Sequence, residues 1–87
     1  MPTLSYTNYD YIKMEKVSVI ASFDTEGHIK PLYVRIGDGE YRVSSFWVKN
    51  RFINVSEYHC ELIDGDVLRP VTLTFYQADG IWCIIPQ

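Results

Sequence analysis

Every glycine in this chain stands next to an aspartate or a glutamate. The five glycines fall into four clusters: DTEG at 24–27, GDGE at 37–40, DGD at 64–66 and ADG at 78–80. Glycine reaches positive φ without steric penalty, and an aspartate bonds its own backbone two residues on, so each cluster reads as a chain reversal. The runs between them are rich in Val, Ile, Thr, Tyr and Phe, which suit a pleated sheet. The chain is therefore expected to run strand, turn, strand. Its short reversals imply antiparallel neighbours in a meander. No helical period of any length competes with this, one short exception between Lys49 and Val55 aside.

Two-residue alternation assigns the faces. Over 16–23, Val17, Val19, Ala21 and Phe23 point one way and Ser18 and Ser22 the other. Over 28–36, Leu32, Val34 and Ile36 share the inner face, and Pro31, which lacks a ladder donor, marks an edge or a bulge. Over 40–48, Tyr41, Val43, Ser45 and Trp47 alternate with Arg42, Ser44, Phe46 and Val48, and the apolar triplet Phe46-Trp47-Val48 blurs the parity. Over 51–63 the parity slips near Ser56, where a bend is expected to let the sheet curl. Over 67–76, Val71, Leu73 and Phe75 face inward and Thr72 and Thr74 outward, with Pro70 at another edge or bulge. The last run, 81–85, is apolar on both sides and reads as central or covered. The expected fold is all-β: about six strands in an antiparallel meander, curled into a compact or half-open barrel, SH3-like more than OB-like.

Eighty-seven residues make one domain with a thin core. Residues 16–87 are assigned to the barrel. Residues 1–15 form a polar tail bearing Tyr6, Tyr9 and Tyr11, and Met14 is a candidate native start. A net charge of −3 argues against a charge-driven nucleic-acid or anionic-membrane binder. No basic segment leads into an apolar leader, and no apolar run approaches the ~20 residues of a membrane helix. The expectation is a cytoplasmic protein with two reduced thiols, Cys60 and Cys83.

Candidate chemistry is sparse. His28, His59, Cys60 and Cys83 supply metal-ligand types, but no C-x-x-C or H-x-x-x-H spacing occurs, and adjacent His59 and Cys60 point to opposite faces of one strand. No metal and no cofactor is expected. The chain carries no nucleophile elbow, phosphate loop or dinucleotide fingerprint, so no catalytic residue is assigned. The stretch SSFWVKNRF, 44–52, places Trp47, Lys49 and Arg51 on one parity. That arrangement suits a stacking platform for single-stranded nucleic acid. The competing reading puts Trp47 in the core and a turn at Lys49-Asn50, and a thin core's need for large aromatics favours it.

The aromatic content exceeds what so small a core can hide, so some of Tyr6, Tyr9, Tyr11, Trp47, Tyr58, Tyr76 and Trp82 are expected at the surface. Exposed aromatics mark interfaces. Tyr6, Tyr9, Tyr11, Tyr58 and Tyr76 are the candidate protein-contact residues, and edges beside Pro31 or Pro70 could accept another strand. The expected function is a non-enzymatic interaction module that binds a protein or a second copy of itself, a homodimer being the simplest case. The alternative is a single-strand-binding barrel using Trp47, Lys49 and Arg51. A third reading is a small-molecule site in the barrel mouth.

The run VIASFDTEGHIKPLYVRIGDGEYRV, 19–43, resembles a pattern found in small uncharacterised bacterial all-β proteins. In that pattern a strand ends in Phe-Asp, a turn follows, then Ile-x-Pro, another strand and an aromatic-Arg-Val segment. The closing Gly-x-Trp at 80–82 fits it as well, and the tyrosine-bearing tail lies outside it. The resemblance implies a compact six-stranded barrel-like fold. It brings no activity and no site residues.

Overall fold

The computed structural model describes residues 14–85, with the backbone alone at Arg51 and Phe52. Six strands follow one another: β1 (Glu15–Phe23), β2 (Ile29–Ile36), β3 (Gly39–Phe52), β4 (Val55–Asp64), β5 (Val67–Tyr76) and β6 (Ile81–Ile84). Each pairs antiparallel with the next. Pairs Glu15–Ile84, Lys16–Cys83 and Val17–Trp82 join β1 to β6 and close the sheet into a barrel. The meander expected from the acidic reversals is the observed topology, and it is closed.

The reversals work as their chemistry requires. Gly37 and Gly65 open two-residue loops flanked by the pairs Ile36–Gly39 and Asp64–Val67, at φ 59° and 63°. A positive φ at the first central position only is the type II′ turn, whose twist matches the flanking strands. In the β1–β2 turn, Asp24 Oδ1 accepts the backbone amides of Glu26 at 2.9 Å and His28 at 2.8 Å. The His28 amide above all holds the Asp24 carboxyl below its ordinary value. Asp24, the first residue of the DTEG cluster, is thus part of the turn and not a free surface charge.

The core lies against β4, β5 and β6. Tyr58, Cys60 and Leu62 alternate inward from β4, Val71, Leu73 and Phe75 from β5, and Trp82 and Ile84 from β6, with Val34 added from β2. Three aromatics form its centre. The Trp82 ring lies 4.5 Å from Phe75 and 5.1 Å from Tyr58 between centroids. Trp82, one of the aromatics among which surface residues are expected, is a core residue, in keeping with the covered strand expected at 81–85.

Three irregularities redirect side chains that simple alternation misplaces. Ile20 pairs with Tyr33 but Ala21 pairs with Pro31, so Leu32 is an extra residue on β2. Pro31 turns inward and is buried, while Leu32 and Tyr33 both lie outside. At the end of β1, Phe23 is 66% exposed rather than inward. On β3, Val43 pairs with Leu62 and Ser45 with Glu61, which leaves Ser44 extra. Parity flips there: Val43 and Phe46 pack on the core, and Trp47 points out. The third irregularity, between Asn50 and Phe52, precedes a turn at Ile53-Asn54 in which Asn54 takes φ 65°. The chain therefore does not turn at Lys49-Asn50, and the bend expected near Ser56 is instead this reversal.

Several strand segments keep one side unpaired among the described residues, and β5 carries one of them. Leu73–Tyr76 of β5 pair with β6, whereas Val67–Thr72 pair with β4 alone. The pair flanking a two-residue loop is hydrogen-bonded, so Val67, Arg69 and Val71 direct their backbone groups to β4, and Leu68, Pro70 and Thr72 direct theirs to the open side. Pro70 has no N–H to offer at the middle of that edge, which blunts it against strand addition. Pro31, likewise expected at an edge or a bulge, pairs with Ala21 of β1 beside the extra residue Leu32, and β2 meets β3 only over Tyr33–Ile36.

Candidate functional site

The bulge at Ser44 decides what the outer face of β3, β4 and β5 presents. Past it, three rungs cross the strands side by side: Ser45–Glu61–Pro70, Trp47–His59–Thr72 and Lys49–Glu57–Thr74. Trp47 is 58% exposed and stacks on His59, with centroids 4.1 Å apart and planes 8° from parallel. The imidazole is held in place at both nitrogens. Nε2 lies 3.0 Å from Glu57 Oε1, and Nδ1 lies 3.5 Å from the Thr72 hydroxyl. Ser45 Oγ donates to Glu61 Oε1 at 3.2 Å. A flat aromatic surface is therefore built onto a rigid sheet, with Glu57 and Glu61 on the adjacent strand and Lys49 two residues along β3.

Trp47 and Lys49 share this face, as their parity implied, and Trp47 is not the core residue that a thin interior was expected to demand. Arg51 belongs to β3, but its side chain lies outside the described residues, as do Tyr6, Tyr9 and Tyr11. Tyr58 does not reach the surface: it is 4% exposed, inside the core. Burial there, with the neighbouring Cys60, raises its phenol above the ordinary value. Tyr76 is half-buried and donates its hydroxyl to Met14 Sδ at 3.1 Å.

A second exposed surface follows from the register alone. Ile20 pairs with Tyr33, Tyr33 with Arg42, Arg42 with Ile63 and Ile63 with Leu68. All five point outward, in one rung that crosses β1 to β5, and the extra residue Leu32 widens it. Neighbours along such a rung stand about 4.8 Å apart. Four of the five are thus large apolar or aromatic side chains in lateral succession, divided by Arg42. Sequence alternation missed this row. One sign of it was present: Ile20 stands between Ser18 and Ser22, on the face that the alternation assigns to water.

The thiols are closed off. Burial pushes Cys60 up to about 12, and it also raises Cys83, partly offset by Lys16. A thiol kept neutral in this way is a poor nucleophile. Among the described residues, no group of three His, Cys, Asp or Glu side chains could hold a metal ion, and no helix is long and apolar enough to cross a membrane.

Compared with protein-family models, curated proteins and solved structures, the chain matches none. The six strands and the barrel implied by the resemblance at 19–43 are what the chain forms, and the fold and its surfaces carry the functional argument.

Proposed function

We propose that this protein is a non-enzymatic interaction module of the bacterial cytoplasm, which binds a protein surface through the outer row Ile20, Tyr33, Ile63 and Leu68. The observation that carries this reading is the lateral continuity of that row across five strands. Apolar side chains scattered singly over a surface need no explanation, whereas a contiguous patch rimmed by polar groups is what an interface presents. Arg42 at its middle suits the role, since arginine is enriched in interface centres. Two buried free thiols agree with a reducing compartment. The simplest partner is a second copy, which brings the same row to itself about a two-fold axis.

Sedimentation velocity over a concentration series tests this. The full chain is expected to shift from monomer to dimer as concentration rises. Ile63→Glu with Leu68→Glu should weaken that association at least ~100-fold, from about 3 kcal/mol of lost apolar burial. A dimer unaffected by the pair would refute the assignment of the row. A strict monomer at high concentration would remove self-association and leave a different protein as the partner.

Single-strand binding through Trp47, Lys49 and Arg51 is the second reading, favoured by the exposed indole beside Lys49. The flanking carboxylates oppose it: Glu57 stands directly opposite Lys49, and Glu61 lies one rung beyond Trp47 on the other side, where a phosphate backbone would pass. A fluorescence titration with a mixed-sequence oligonucleotide is accordingly expected to show no salt-sensitive change in tryptophan emission. Binding that weakens with salt and with Lys49→Ala would reverse the preference between the two readings.

A further inference from the structure

β3 outruns its neighbour. It meets β2 only between Gly39 and Arg42, yet it continues along β4 to Phe52. The pair Ile36–Gly39 flanks a two-residue loop and is hydrogen-bonded, so backbone groups alternate from there: Gly39 and Tyr41 serve β2. Past the bulge at Ser44, Ser45, Trp47 and Lys49 serve β4, and Phe46, Val48 and Asn50 direct their N–H and C=O groups to the side that β2 has left. Among the described residues no strand pairs with that side. From Pro31 back to Ile29, β2 pairs with β1 alone. The two strands therefore form a fork, and its β3 edge offers a row of unmet backbone donors and acceptors.

The fork is not filled. A cleft of about 500 Å³ lies in it, and β3 and β4 line it from one face only: Phe46, Val48 and Asn50 from the first, Ser56 and Tyr58 from the second. Val48 is 44% exposed there, although it shares the face of Phe46 and stands opposite buried Tyr58. Ile29 and Lys30 of β2 form the opposite rim. Phe23, paired with Ile29 and itself exposed, extends that rim with more apolar surface. The charge around the cleft is one-sided. No carboxylate lines it among the described residues, and neither Lys30 nor Lys49 has an ion pair among them. Asp24 and Glu26 of the β1–β2 turn are engaged with His28 Nδ1, at 3.1 and 3.8 Å. Glu57 and Glu61 belong to β4, one strand farther from the open edge than Lys49 and Trp47.

We propose that the free edge of β3 from Phe46 to Asn50 receives an extended peptide segment of another protein, one in which apolar and acidic side chains alternate. Lying antiparallel to β3, the added strand meets the backbone groups of Phe46, Val48 and Asn50, and its two-residue period sorts the side chains. The apolar ones enter the cleft against Phe46, Val48, Ile29 and Tyr58. The acidic ones lie on the outer face, flanked by Lys49 and Lys30. The edge lies farther along β3 than Arg42 of the outer row, and neither proposal depends on the other.

The probe is acetyl-Val-Glu-Val-Glu-Val-amide, titrated into the full chain and followed in amide nitrogen–proton spectra. Saturable shifts are expected at Phe46, Val48 and Asn50, and the same three amides should gain protection from solvent exchange. Methylating the nitrogen of the central valine removes one ladder donor and should weaken binding about tenfold. Replacing both glutamates of the peptide by lysine should weaken it about tenfold as well, and Lys30→Glu with Lys49→Glu should reverse that preference. Val48→Pro removes the N–H at the middle of the edge and no bond to β4, so it should abolish binding. If that variant fails to fold, the N-methylated peptide makes the same test from the other strand. Equal affinity for the glutamate and lysine peptides overturns the acidic assignment. Absence of saturable shifts at those amides, undiminished binding of the N-methylated peptide, or contacts placing residues 1–13 of this chain along Phe46–Asn50 against the probe overturns the edge as a docking site.

Discussion

Leu73→Ala is expected to lower the free energy of unfolding by about 3–5 kcal/mol. Leu73 is 0% exposed and lies within the cluster formed by β4, β5 and β6, so its removal leaves a void that rigid cross-strand neighbours cannot collapse to fill. A domain of this length has about 4–13 kcal/mol in total. The single change therefore takes a large share of it and shifts the melting temperature by roughly 15–30 °C. Ile53, 89% exposed in the β3–β4 turn and outside the outer row, provides the control: Ile53→Ala should change stability by no more than about 0.5 kcal/mol. Urea denaturation is the measurement, with an unchanged slope showing that stability alone has moved. A loss below about 1 kcal/mol for Leu73→Ala would mean that the inward face assigned to β5 is not the core.

The second large effect is alkaline. The folded protein holds the Cys60 thiol neutral up to about 12, against 9.0 for an unperturbed thiol. Above pH 9 the unfolded chain loses this proton and the folded one keeps it, so ionisation favours unfolding. Stability contributed by the neutral thiol is complete below pH 9 and declines as pH rises towards 12. The limiting slope for one group is about 1.4 kcal/mol per pH unit. Cys83 and Tyr58 are raised in the same direction and steepen the decline. Unfolding measured at pH 8 and pH 10.5 should show a loss of about 2 kcal/mol or more. Cys60→Ala should be less stable at pH 8 and flatter between the two. An equally steep decline in Cys60→Ala would show that this thiol is not what the alkaline transition reports.

What the sequence made legible follows from how each feature is encoded. The four acidic glycine clusters are written in residue types with a single local meaning, and all four are reversals between adjacent strands. The fifth reversal, at Ile53-Asn54, uses asparagine for its positive φ within RFINVS, where no glycine announces it. Faces were legible only between irregularities. Val71, Leu73 and Phe75 alternate inward without interruption, and so they could be read directly. A bulge adds one residue and no distinctive composition. Ser44 looks like any strand serine, and Leu32 looks like an inner leucine, yet each shifts the parity of what lies beyond it.

The two tryptophans show what such a slip does to function. Trp47 and Trp82 both sit in short apolar runs of a strand. Register alone places the first on the outside against His59 and the second inside against Phe75. A thin core does take large aromatics inside, and it takes Trp82 rather than Trp47. The interaction row was less legible still, because it is lateral: it is assembled from one residue on each of several strands, at positions that no run along the chain brings together.

The most direct test of closure and register is a nuclear Overhauser spectrum of the folded chain. Cross-strand contacts are expected between the backbones of Lys16 and Cys83, together with contacts from the Trp82 indole to Phe75 and from the Trp47 indole to His59, with none from Trp47 to Tyr58, Phe75 or Trp82. An absence of β1–β6 contacts, or Trp47 indole contacts to the methyls of Val34 and Leu73, would contradict that closure and register.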